Sequence, residues 1–252
     1  MIQPGVLLRY AEAPVLYRER LTPESGHLDL LSCGEYQLAP AARGPRAAHP
    51  DEEALLAVWF GAAAVEVAGA GYALAAHDML YIPKGAPYRI ANPGREAAGL
   101  WLLRAPAEKV HPVVHARFAT VSAEERRIRR LKGKTVYLMF DVTEAADKLV
   151  AGYTFFEPFA RSWPPHNHTD QEEIYIFLEG RGAMEVYESP ETLTFVREVS
   201  RGDAVTIPRL NYHPVFSQDE RLEFLWSIAG ARYWVGDKSR EFMAGTAPSV
   251  TT

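Results

Sequence analysis

The chain has 252 residues, of which 48% are hydrophobic and 23% charged, the make-up of an ordinary globular protein long enough for one large core or two small ones. Its net charge of -5 at pH 7 excludes the broadly basic surface that a polyanion partner requires, so nucleic acid is not an expected ligand. A single cysteine, Cys33, excludes an internal disulfide and any cysteine-rich metal site, which leaves histidine and carboxylate as the available ligands.

In chain order, Met1 to Val15 carries Pro4, Arg9, Glu12 and Pro14 and has neither the apolar core of a signal peptide nor a membrane-spanning run. Cytoplasm is the default location, with no membrane partner. Leu55–Phe60, Ala64–Val67 and Met79–Ile82 then read as short strands, rich in β-branched and aromatic residues and bounded by glycine and proline. Ser122-Ala123-Glu124-Glu125 has the form of a capping box, predicting a turn or two of helix over Arg126 to Lys132 inside a linker spanning 119–145. The linker's Arg126, Arg127, Arg129, Arg130, Lys132 and Lys134 invite an anion-binding reading, but a solvated connector face is the expected one. Strands resume at Ile174–Leu178, Ala183–Tyr187, Leu193–Val196, Ala204–Ile207 and Leu222–Ile228, and the small, polar residues from Ala244 to Thr252 read as a loose tail. Short strands at this spacing predict an all-β protein of two antiparallel β-barrel lobes, 1–118 and 146–244, joined by a short helix and followed by the tail 245–252.

The two lobes are related by an internal repeat. Asp78-Met79-Leu80-Tyr81-Ile82-Pro83 and its continuation to Tyr88 recur 125 positions later as Asp203-Ala204-Val205-Thr206-Ile207-Pro208 and its continuation to His213. Upstream, Glu52-Glu53-Ala54-Leu55 falls on Glu172-Glu173-Ile174-Tyr175, which sets Glu53 against Glu173. One internal copy indicates duplication rather than a solenoid.

Four residues of the second lobe carry a metal-ligand pattern. His166 and His168, two apart on extended chain, project from one face; a turn around Thr169–Gln171 returns Glu173 to it, and His213 arrives from a later strand. Three imidazoles and a carboxylate suit one divalent transition metal, Zn, Mn, Fe, Co or Ni, and suit calcium or magnesium poorly. Four protein ligands on a six-coordinate ion leave two positions for chemistry. In the first lobe the corresponding positions are Arg46, Ala48, Glu53 and Tyr88, too few donors for a site, so that lobe is expected to be a metal-free structural or oligomerisation partner.

The spacings Pro165-His166-x-His168-x4-Glu173-x6-Gly180 and Gly202-x5-Pro208-x4-His213 resemble the two motifs of the cupin superfamily, which implies a jelly-roll barrel in each lobe and hence a bicupin. Leu210 stands where the second motif commonly has glycine. Gly152-Tyr153-Thr154, Ser162-Trp163-Pro164-Pro165-His166, Pro208-Arg209, Tyr212-His213-Pro214-Val215, and Ala229-Gly230 with Arg232 and Trp234 resemble the 5-deoxy-glucuronate isomerase family of inositol catabolism. That resemblance implies metal-dependent aldose-ketose isomerisation of a uronic-acid-like sugar, a small-molecule sugar acid being the partner. Tyr175 shares the inward face of Glu173 and Tyr153 comes from an earlier strand, which makes both candidate catalytic residues; alternation turns Glu172 outward, and Asp170 lies near the site in sequence. Arg161 and Arg209 are candidate substrate-binding residues for the carboxylate, each equally readable as a surface arginine. Phe155, Phe159, Trp163, Phe177 and Trp226 read as packing. The rival functions are an Fe(II)-dependent dioxygenase, since the same ligands hold iron, and a non-catalytic sugar-binding bicupin. Exposed strand edges make a homo-oligomer a reasonable expectation.

Overall fold

Residues 15–162, 165–189 and 191–232 are described by a computed structural model. The start of the chain, Trp163, Trp234 and the tail lie outside the described residues. The protein divides into two compact units, one of Met1–Thr22 with Ser32–Phe118, the other of Pro23–Leu31 with Ala119–Thr252. Among the described residues no helix is long and apolar enough to cross a membrane.

The first unit contains β1 (Val15–Leu21), β2 (Ser32–Leu38), β3 (Arg43–Ala47), β4 (Glu52–Phe60), β5 (Ala63–Val67), β6 (Ala70–Leu74), β7 (Met79–Ile82), β8 (Tyr88–Ala91), β9 (Ala98–Pro106) and β10 (Val114–Ala116). They form a six-stranded sheet, β1-β2-β9-β4-β7-β10, and a four-stranded sheet, β3-β8-β5-β6, with antiparallel pairings throughout. Alternation sends Ala54, Leu56 and Val58 of β4 into the core with Leu80, Ile82, Tyr88 and Leu102. Cys33 is fully buried, and that burial pushes its thiol up to about 12.

The second unit contains β11 (Ile128–Leu131), β12 (Lys134–Phe140), β13 (Val150–Phe156), β14 (Gln171–Glu179), β15 (Arg181–Ser189), β16 (Thr192–Ser200), β17 (Ala204–Ile207), β18 (Val215–Ser217) and β19 (Leu222–Gly230). The large sheet runs β11-β12-β13-β19-β14-β17 and the small one β16-β15-β18. Tyr175, Phe177, Trp226, Phe224 and Phe156 point between them into one apolar cluster. Each unit is thus the two-sheet, jelly-roll arrangement of an all-β bicupin.

Two boundaries differ from those expected. Residues 119–145 are no simple linker, because β11 and β12 extend the large sheet of the second unit through the pairs Arg129↔Val136 and Tyr137↔Tyr153. The capping box does not form: the Ser122 hydroxyl donates back to the Ala119 carbonyl, and Glu124 opens only the single 3-10 turn Glu125–Arg127 without a side-chain cap. Cross-strand pairing of Ile128–Leu131 with β12 outweighs the weak preference for helix here. Pro23–Leu31 is the second departure, since it lies between β1 and β2 in the chain yet belongs to the second unit. Its anchor is Glu172, whose carboxylate accepts the backbone N–H groups of Asp29, Leu30 and Leu31 at 2.7, 2.7 and 2.6 Å. Arg232 is a second staple: its guanidinium donates to the carbonyls of Asp141, Glu144, Ala146 and Leu149.

The repeat is visible in the backbone. Gly85 and Leu210 occupy equivalent turns with φ of +73° and +69°, and His77 and Gly202 do the same at +68° and +92°. Left-handed backbone at Leu210 carries a Cβ penalty that glycine escapes. Leu210→Gly should therefore stabilise the protein by about 1 kcal/mol, and an unchanged or lower denaturation midpoint in urea would contradict that account. Conversely, Glu172→Ala removes three charge-assisted hydrogen bonds from a site with 1% exposure and should cost on the order of 2–4 kcal/mol. The same urea titration measures it, and a loss within the range of an ordinary surface substitution would show that the segment is held by something else.

Candidate metal centre

Three separate pieces of chain deliver the ligands. His166 and His168 lie on the irregular stretch before β14, Glu173 is the third residue of β14, and His213 sits in the turn before β18. The His213 N–H donates to the His166 carbonyl at 3.3 Å and the Leu210 N–H to the His168 carbonyl at 2.7 Å, so the two histidine-bearing stretches are tied backbone to backbone. Nitrogens of His166, His168 and His213 lie within 4.8 Å of one another. The Glu173 carboxylate closes the set, its Oε2 being 3.1 Å from Nε2 of both His168 and His213. Among the described residues these three histidines form the group that could hold a metal ion.

His166 and Glu173 have the protonation states that coordination requires. Burial holds His166 well below its ordinary pKa, and the neighbouring His213, His168 and Lys134 push it further down, so its imidazole is neutral and has a lone pair to give. Burial alone would raise Glu173, but its close contacts with His168 and His213 hold it below the usual carboxylate value. His213 places Nδ1 2.8 Å from the Asn211 carbonyl, which fixes that nitrogen as the donor and turns Nε2 toward Glu173; outer hydrogen bonds orient metal-ligating imidazoles in the same way. His168, Glu173 and His213 are buried while His166 keeps partial exposure, so one side of the cluster is accessible. The residues present therefore fit a divalent transition ion with open coordination positions.

A cavity beside the cluster is lined on one wall by His166, Glu173 and Tyr175 and elsewhere by Arg129, Lys134, Ser162 and the apolar faces of Phe156, Phe224 and Trp226. Tyr175 packs 5.7 Å from the His213 ring, and burial, with Glu173 adding to it, raises its phenol well above the ordinary value. It stays protonated and so has a hydrogen to donate. Tyr153, the other candidate, is buried on the opposite face of β13: strand alternation sends Gly152, Thr154 and Phe156 toward the cavity and Tyr153 away. Arg161 pairs with Glu185 on a separate surface depression, and Arg209 lies 3.4 Å from Asp29; neither lines the cavity. Glu172 is outward-facing as expected and Asp170 is exposed. Of the expected packing aromatics, Phe177 and Trp226 join the core, whereas Phe159 is 80% exposed.

Two cavity residues, Arg129 and Lys134, come from the basic run read as a solvated face. Their signal was period-two spacing: Arg129, Leu131, Lys134 and Val136 share a face once β11 folds back on β12. Lys134 is lowered by burial to about 8, with Glu173 opposing the shift.

The first unit holds fewer of the candidate ligand types than the aligned sequence implied. Ile82 and Ile207 are equivalent, and Ile82 pairs with Ala54 while Ile207 pairs with Glu173. Ala54 therefore stands at the carboxylate position, and Glu53 matches Glu172. One residue of register reverses the face, and Glu53 points away from the core, accepting a hydrogen bond from the Tyr81 hydroxyl at 2.8 Å. Tyr88, the counterpart of His213, lies 3.1 Å from the Tyr36 hydroxyl and 3.0 Å from His49 Nε2.

A model of the KduI/IolB family matches residues 11–243. The chain belongs to the KduI/IolB family. Two curated proteins named 4-deoxy-L-threo-5-hexosulose-uronate ketol-isomerase are 27% identical to this KduI/IolB chain. The protein of Opitutus terrae matches over 179 residues, 66% of this chain and 62% of its own length. That of Cereibacter sphaeroides matches over 184 residues, 68% of this chain and 63% of its own. The chain thus spans less than two thirds of the curated relatives it matches. Among solved structures, an IolB-like protein from Salmonella typhimurium superposes with a TM-score of 0.75 at 18% identity, covering 91% of this chain and 95% of that one. A Bacillus subtilis oxalate decarboxylase variant gives 0.72 at 17% identity, covering 90% and 75%. Identities this low establish the shared fold.

Purified KduI/IolB chain should carry about one divalent transition ion, and His213→Ala should lose most of it while Glu53→Ala keeps it. Elemental analysis decides this; two equal sites per chain, or undiminished metal in His213→Ala, would contradict a single centre.

Proposed function

We propose that this protein is a metal-dependent aldose-ketose isomerase of a uronic-acid-like sugar, with 5-deoxy-glucuronate as the candidate substrate. The observation that carries the reading is a carboxylate and three imidazoles converging beside a cavity whose remaining walls are apolar and cationic. The names of the two curated relatives, both ketol-isomerases of a deoxyhexosulose uronate, support the reaction class and the sugar-acid substrate.

A divalent Zn, Mn, Fe, Co or Ni ion held by His166, His168, Glu173 and His213 would supply Lewis-acid polarisation of the sugar carbonyl and its neighbouring hydroxyl. Isomerisation moves one proton from C2 to C1 and one from the C2 hydroxyl to the C1 oxygen, with no net oxidant consumed. Tyr175 remains a phenol and so donates a hydrogen bond to a substrate oxygen on which charge develops. Glu172 and Asp170 are poor candidates for the proton carrier, the first being locked on three backbone N–H groups and the second exposed. Phe156, Phe224 and Trp226 exclude water from the reacting carbons.

The test is NMR of metal-replete protein with 5-deoxy-glucuronate, and in parallel with 4-deoxy-L-threo-5-hexosulose-uronate, under air and under nitrogen. A ketose-aldose interconversion at equal rates in both atmospheres is expected, and Tyr175→Phe should lower kcat by about 10-fold to 1000-fold. Activity that needs oxygen would replace the isomerase with a dioxygenase, and binding without a new product would leave a sugar-binding bicupin.

A further inference from the structure

We infer that Lys134 and Arg129 together form the anchor for the anionic group of the ligand, which makes the cavity beside the metal centre selective for sugar acids over neutral sugars. The two side chains leave adjacent strands on a single face: Arg129 is paired with Val136 and Leu131 with Lys134, and all four line the same cavity. Lys134 donates to the Ser162 hydroxyl at 2.5 Å and lies 5.5 Å above the Phe156 ring, contacts that hold the ammonium in place without neutralising it. Arg129 is 9% exposed and burial lowers it, with Asp141 opposing.

Charge balance favours an anionic ligand. Among the described residues lining the cavity, Glu173 is the carboxylate, its Oε2 is already engaged by two imidazoles, and Asp141 offsets Arg129 from outside the lining. A divalent ion in the centre would add two further positive charges. Cations held in a low-dielectric cavity are costly unless a counter-charge meets them, and a carboxylate bound to a guanidinium and an ammonium supplies one through charge-assisted hydrogen bonds. The expected sugar-acid anchors, Arg161 and Arg209, are engaged elsewhere, with Glu185 and near Asp29 respectively. The inference rests on the isomerase reading for the identity of the natural ligand, while the selectivity for acids is a property of the cavity alone.

Calorimetry on metal-replete protein with D-glucuronate and its uncharged analogue D-glucuronamide separates the two. Wild type should prefer the acid by about 10-fold to 100-fold, the range expected of a charge-assisted hydrogen bond in a dry site. Lys134→Met and Arg129→Met should each reduce that preference several-fold with metal content and melting temperature unchanged. Equal affinity of wild type for acid and amide, failure to bind either, or a preference undiminished in both variants would overturn the anchor. Acid preference in a protein that isomerises neither deoxyuronate would instead remove the isomerase reading and leave the anchor standing.

Discussion

A carboxylate buried at 2% exposure stays ionised only if polar partners offset its lost hydration, and Glu173 has them in the His168 hydrogen bond and the His213 imidazole, each 3.1 Å from the same oxygen. Around this contact the local structure is consistent. Tyr175 and Phe177 follow on the same face of β14, the His166 and His213 stretches are joined by backbone hydrogen bonds, and Asn211 fixes which His213 nitrogen is turned inward. The residue on the other face, Glu172, binds the segment Pro23–Leu31 through three N–H groups. Two consecutive carboxylates thus do opposite work because a strand alternates, one facing the three histidines and one on the other face acting as a structural clamp.

Comparison of the two units shows how a site of this kind is lost while its scaffold persists. The left-handed turns recur at Gly85 and Leu210 and at His77 and Gly202, so the loops that present ligands were retained in shape. The ligand positions were not: alanine stands at the carboxylate site and Tyr88 replaces the last imidazole, joined to Tyr36 and His49 by hydrogen bonds. Burial raises the Tyr88 phenol and lowers His49, leaving a neutral cluster in an apolar interior. A neutral interior needs no metal to compensate it.

The second cavity is asymmetric in charge as well as in composition. Its histidine-bearing wall is polar, its floor aromatic, and its basic wall is built from the segment that joins the duplicated lobes in sequence. That placement gives β11 and β12 a purpose beyond extending a sheet, since they bring two cations to a barrel whose own strands supply Glu173 as the acid.

The amino-acid sequence determined the duplication, the strand-rich class and the choice of the four candidate ligands that the fold brings together. Those depend on local spacing, on residue chemistry and on the recurrence of Asp78–Tyr88 at Asp203–His213. Strands bounded by glycine and proline, such as Met79–Ile82 and Ala204–Ile207, were readable to the residue. Tertiary structure alone decided which face each side chain takes where spacing was ambiguous: it turned Tyr153 away from the cavity, brought Arg129 and Lys134 into it, set Ala54 rather than Glu53 against Glu173, and moved Pro23–Leu31 into the second unit. The physical reason is common to all four. A strand's register is set by pairing with residues distant in the chain, and a shift of one position exchanges its inner and outer faces, so no local window of sequence contains the information.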